Sequence, residues 1–117
     1  MKLKVVVDWL DKEWDIAFKD VEEAIDFICA FVEEKEEKEV REDFKRLADI
    51  ISKYQYEILG LRLVKSCEGY YVPAMAINAS NGLSCDFLQK LAEEFDYTIK
   101  LPHYFKEAWV LEIYTDI

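Results

Sequence analysis

Fifteen carboxylates and five basic residues fall between Asp8 and Asp43, against ten of each in the rest of the 117-residue chain, so the formal charge of −10 originates in one window. Acids at this density produce a negative field of several kT over one end of a small domain, subject to screening by salt. Such a field repels nucleic acid and attracts a basic protein surface, which it steers into contact. The carboxylates singled out for that contact are Glu22, Asp26, Glu33, Glu34, Glu36, Glu37 and Glu39, on a helix face and the turn that follows it.

Other chemistries find less support. Asp8, Asp11, Glu13 and Asp15 lack the central Gly and terminal bidentate Glu of a calcium loop, and on a hairpin alternate residues point to opposite faces. Cys29, Cys67 and Cys85 are odd in number and fit neither a disulfide framework nor a zinc site. Cys85 follows Ser84 at the start of a helix, where unpaired N–H groups favour a thiolate, and His103 is the single histidine. A Cys85/His103 nucleophile pair is the catalytic alternative, and an ordinary thiol is the preferred reading of Cys85. Asn81-Gly82 lacks the Gly-x-Gly or Gly-Lys-Ser pattern of a phosphate cradle. No cofactor, metal or enzymatic activity is expected.

These residues must be positioned by the elements the hydrophobic pattern encodes. With 52% hydrophobic and 15% aromatic residues the chain can form a sizeable core without disulfides or metal, and residues 1–117 read as one domain. Leu3, Val5, Val7 and Trp9 alternate as a strand, and Trp14, Ile16 and Phe18 repeat the alternation after a turn at Asp11-Lys12-Glu13. Asp20 caps a helix whose stripe is Val21, Ala24, Ile25, Ile28 and Val32, widened by Phe27, Ala30 and Phe31. Val40, Phe44, Leu47, Ala48 and Ile51 form a second stripe, rotated by about 125° from the first on an ideal helix. One straight rod cannot bury both, so a break within Glu33–Glu39 is expected to fold the region into an antiparallel helix pair.

Leu59, Leu61 and Leu63 then alternate as a strand, Glu68-Gly69 turns the chain, and Tyr70 to Asn78 returns, with Ala74 and Ala76 on a face able to admit a helix closely. Tyr70 and Tyr71 must point to opposite sides of that strand. Ser84 caps a third helix carrying Phe87, Leu88, Leu91, Ala92 and Phe95, and two further strands begin at Thr98 and Trp109. The order, strand-strand-helix-helix-strand-strand-helix-strand-strand, implies an α+β domain. Its expected form is an antiparallel sheet of four to six strands with helices on one face, ferredoxin-like as a special case. Ile25, Ile28, Phe44, Leu47, Ile51, Leu61, Leu88 and Leu91 are the expected core.

No stretch is long and apolar enough to span a membrane, and the N-terminus lacks a secretory signal pattern, so a cytoplasmic location is expected. The leading expectation is a non-catalytic acidic module that occupies a basic, nucleic-acid-binding surface of another protein. Immunity proteins for nuclease toxins and anti-defence proteins of mobile elements share this charge and size, an analogy without a motif. The alternative is an accessory subunit whose acidic face only solubilises.

Overall fold

The computed structural model describes residues 1–102 and 104–116. Strands β1 (Lys2–Val7), β2 (Lys12–Ala17), β3 (Ile58–Lys65), β4 (Tyr71–Asn78), β5 (Thr98–Lys100) and β6 (Val110–Tyr114) form one sheet, in the spatial order β2-β1-β3-β4-β6-β5. Helices α1 (Val21–Cys29), α2 (Glu34–Lys53) and α3 (Cys85–Glu94) complete the α+β fold, in the chain order the sequence implies. Two consecutive helices between hairpins depart from the β-α-β-β-α-β order of a ferredoxin-like unit.

The sheet is mixed, which corrects the antiparallel expectation: β1 and β3 run parallel, and the other neighbours are antiparallel. The helix pair explains this. Contacts Asp26 to Arg41 and Glu22 to Lys45 show that α1 and α2 run in opposite directions. The pair therefore returns the chain to the end of the sheet where β2 finished, and β3 must start from the same end as β1. Hairpin adjacency gave no hint of this, because it ignores what an even number of helices does to direction.

The break between α1 and α2 lies at residues 30–33 and meets the predicted Glu33–Glu39 window only at Glu33, since Glu34 to Glu39 open α2 instead. Phe31 and Val32 are drawn inward, Phe31 stacking on Trp14 at 5.4 Å, and the N–H groups of Phe31 and Val32 tighten into i→i−3 bonds. Glu33 N donates to Tyr71 Oη at 3.3 Å across the connection. Glu34, Glu36 and Glu37 then suit the positive end of the helix dipole, so this acidic run starts a helix more readily than it breaks one.

One sheet face carries Leu3, Val5, Val7, Leu61, Leu63, Met75, Ile77 and Ile113 against Ile25, Ile28, Phe44, Leu47, Ile51, Phe87 and Leu91 of the helices, all buried in a single cluster. Leu88 is only half-buried and Ala92 is exposed, so α3 presents a narrower stripe than expected. A register shift between Ile58 and Gly60 buries Ile58 and leaves Leu59 half-buried, out of the expected alternation. Ala74 and Ala76 lie on the opposite sheet face, and among the described residues no helix packs over them, contrary to expectation. What lies near that face is the segment after β5: Tyr104 stacks on Arg62 at 4.7 Å, and Phe105 packs over Gly60. A Cβ at Gly60 would stand 2.5 Å from the Lys4 carbonyl oxygen and 3.2 Å from Phe105, which accounts for glycine there.

Candidate functional site

At one end of the sheet four segments converge: the first half of α2, the end of α3, the start of β4 and the end of β6. They line a cleft of about 470 Å³. Its walls bear six carboxylates, Glu36, Glu39, Asp43, Glu94, Asp96 and Asp116, and one cation, Arg46. Arg46 is already engaged. Its Nη2 lies 3.5 Å from Asp43 Oδ1 and donates to the Glu94 carbonyl at 3.3 Å, and its guanidinium stacks on Phe95 at 4.5 Å. Burial raises the Asp43 carboxyl above the usual carboxylate range; Arg46 opposes the shift, and Glu39 and Glu42 add to it. Tyr70, 43% exposed, and Tyr71 both line the cleft; Tyr71 also meets Trp9 at 5.5 Å.

The seven carboxylates chosen from sequence do not form one surface. Glu22 pairs with Lys45 at 3.2 Å, and Asp26 and Glu37 both grip Arg41, the latter at 2.8 Å. Glu22 and Asp26 tie α1 to α2, while Glu37 pairs with Arg41 within α2, and the bonds from Glu37 and Asp26 hold the Arg41 guanidinium firmly protonated. Glu33 reaches toward Lys65 at 4.0 Å, and Glu34 is exposed at the head of α2. Only Glu36 and Glu39 face the cleft. Glu94, Asp96 and Asp116 lie outside the Asp8–Asp43 window, in the remainder of the chain that is neutral overall, so a window count of charge could not find them. A signal was nonetheless present: Glu93 and Glu94 end α3 with no basic residue in its last turn, against the dipole preference.

A second cleft of about 350 Å³ lies on the other sheet face around Arg62. Arg62 is 7% exposed; its Nε lies 2.9 Å from Glu112 Oε2, without the alignment of a hydrogen bond, and its Nη1 bonds Asp8 Oδ1 at 3.4 Å. Tyr114 Oη donates to Glu112 Oε1 at 3.0 Å, and Lys100 sits over the Tyr114 ring at 4.8 Å. Desolvation raises the Glu112 carboxyl despite the opposing Arg62. Two carboxylates thus neutralise Arg62, and Lys100 is the second cation on the lining.

Cys29 is buried, which pushes its thiol up to about 11, while Cys67 and Cys85 are exposed. Ser84 Oγ accepts from Phe87 N at 3.1 Å, so the expected cap of α3 is present. His103 lies outside the described residues, and with it the proposed Cys85/His103 pair. Among the described residues no three His, Cys, Asp or Glu side chains gather as a metal site, and Asp8 and Asp15 are turned instead to Arg62 and Lys4. Among them, too, no helix is long and apolar enough to cross a membrane. No protein-family model matches the chain, and no curated protein or solved structure matches it significantly.

Proposed function

We propose that the protein is a non-catalytic binding module for a basic protein surface, of the kind a nucleic-acid-processing enzyme presents. The observation that carries the reading is the cleft itself, with six carboxylates around one arginine that is already paired. Like charges crowded in a partly desolvated groove repel one another, and an incoming lysine or arginine relieves that repulsion. Tyr70 at the lip adds apolar area with a polar tip, a favoured composition at interfaces. The functional weight moves accordingly from Glu22 and Asp26, which hold α1 to α2, and Glu37, which pairs within α2, to Glu36, Glu39, Asp43, Glu94 and Asp96.

An immobilised arginine-rich peptide tests the reading as a generic basic surface. The combined change Glu36→Lys, Glu39→Lys, Glu94→Lys and Asp96→Lys is expected to slow association more than it speeds dissociation. The difference should shrink as salt passes about 0.15 M, where the screening length is about 8 Å. Reversal of the exposed Glu34 and Glu23 serves as a control of similar kind. On-rates that fall equally in both variants would make the acids a general solubilising surface, as an accessory subunit would carry.

A further inference from the structure

The sheet leaves a long open edge at β2. The pairs Met1/Phe18 exchange backbone hydrogen bonds at 2.7 Å in both directions, which fixes the phase of the β1/β2 ladder. Counting along the register, Ile16, Trp14 and Lys12 bond to β1, and the N–H and C=O groups of Glu13, Asp15 and Ala17 point away from it. Among the described residues no other backbone group bonds to those three, and all three are exposed. An unpaired edge of this kind is a template for another strand.

The side chains choose the strand. Glu13 and Asp15 stand on the same sheet face, two residues apart, sharing Lys4 at 3.9 and 3.3 Å, so two carboxylates face one ammonium. On the opposite face the half-buried Trp14 and Ile16 rest on the cluster containing Phe27 and Phe31. An added antiparallel strand places its residues directly opposite these, with Cβ atoms about 5 Å apart. A second copy of this chain would set acids against acids across the new ladder, which is destabilising. Lysine or arginine at alternate positions opposite Glu13 and Asp15, with an apolar residue between them opposite Trp14, matches both faces.

We propose that the outer edge of β2 accepts an extended basic segment of a partner protein, alternating basic and apolar residues, as a seventh strand of the six-stranded sheet. This surface is distinct from the acidic cleft and stands or fails independently of it.

A synthetic peptide alternating lysine and valine is the probe, read by fluorescence anisotropy. In the added strand the lysine N–H groups point into the ladder and the valine N–H groups point out. Backbone N-methylation of the lysines is therefore expected to weaken binding about tenfold or more, while N-methylation of the valines leaves it unchanged. Ala17→Pro removes an outward donor without changing charge and should weaken binding likewise, and Glu13→Lys with Asp15→Lys should weaken it in a salt-dependent way. With capture by the cleft disabled by Glu39→Lys and Glu94→Lys, the dependence on which residues are methylated should persist. If Ala17→Pro fails to fold, the two methylated peptides decide the matter. No binding, equal loss with either methylation pattern, or a dimer of the protein that Ala17→Pro dissolves would each overturn the proposal.

Discussion

Arg62 and Glu112 are a charge pair taken almost wholly out of water, and their cost and benefit separate experimentally. Their side chains are 8% and 4% exposed, and each depends on the other to offset lost hydration. Desolvation raises the Glu112 carboxyl even with Arg62 beside it, which shows that its charged form is held under penalty. Removing one partner strands a buried charge, whereas removing both exchanges the pair for apolar contact beneath Tyr104. Glu112→Leu alone is expected to cost about 3 kcal/mol, and the double change Arg62→Leu, Glu112→Leu to cost clearly less. Urea unfolding of the two singles and the double closes the cycle. Additive losses would mean that the two side chains contribute as independent packing groups.

At the scale of the elements, periodicity carried most of the fold. The strands and α-helices were legible because burial imposes a period of two or 3.6 on the chain. Trp9, expected on the first strand, lies instead in a 3-10 turn at Asp8–Leu10, so the chain reverses there and Lys12 and Glu13 already belong to β2. The middles of β3 and β4 are buried on both faces. The failures have local causes. The α1/α2 break fell at residues 30–33 because Phe31 and Val32 pack inward and the glutamates after them favour a helix start. Leu88 was assigned to the core from its place beside Phe87 and Leu91, but α3 leans on the sheet through the narrower set Phe87, Leu91 and Phe95. The parallel β1/β3 pair and the cleft were not legible, since both arise from how elements return to one another in space. Of the site, Glu36 and Glu39 were found by local charge density, and Glu94, Asp96 and Asp116 required the fold to bring them in. The packing difference within the expected core is measurable. Leu47→Ala, at a fully buried position, should lose about 2 to 5 kcal/mol, and Leu88→Ala less than half as much. Equal losses in thermal or chemical unfolding would place α3 deeper than its exposure indicates.

For the whole molecule, the charge of −10 acts on folding and on binding with opposite sign. Self-repulsion opposes the compact state, so screening it stabilises the fold; the same field draws in a basic partner, so screening it weakens the complex. The buried carboxyls add a pH dependence whose direction follows from their shifts. Asp43 and Glu112 both hold their protons more tightly in the native state than in the unfolded chain. The stability this contributes is fully present below the unfolded carboxylate pKa and is lost as pH rises through the raised native values. Acidification from neutrality therefore favours the fold twice, by lessening net charge and by protonating these two groups before the unfolded chain takes up protons. The melting temperature is expected to rise on that path, by about 4 °C for each kcal/mol gained, and also to rise with salt at pH 7. Asp43→Asn should flatten part of the pH response and leave the salt response largely in place. Capture of the arginine-rich peptide should move the other way on both axes, weakening with salt and with acid. A melting temperature indifferent to both, measured by calorimetry alongside a binding curve that still responds, would mean that cross-helix pairs such as Arg41 with Asp26 and Lys45 with Glu22 already cancel the repulsion within the fold, leaving the cleft as the one place where the excess charge is felt.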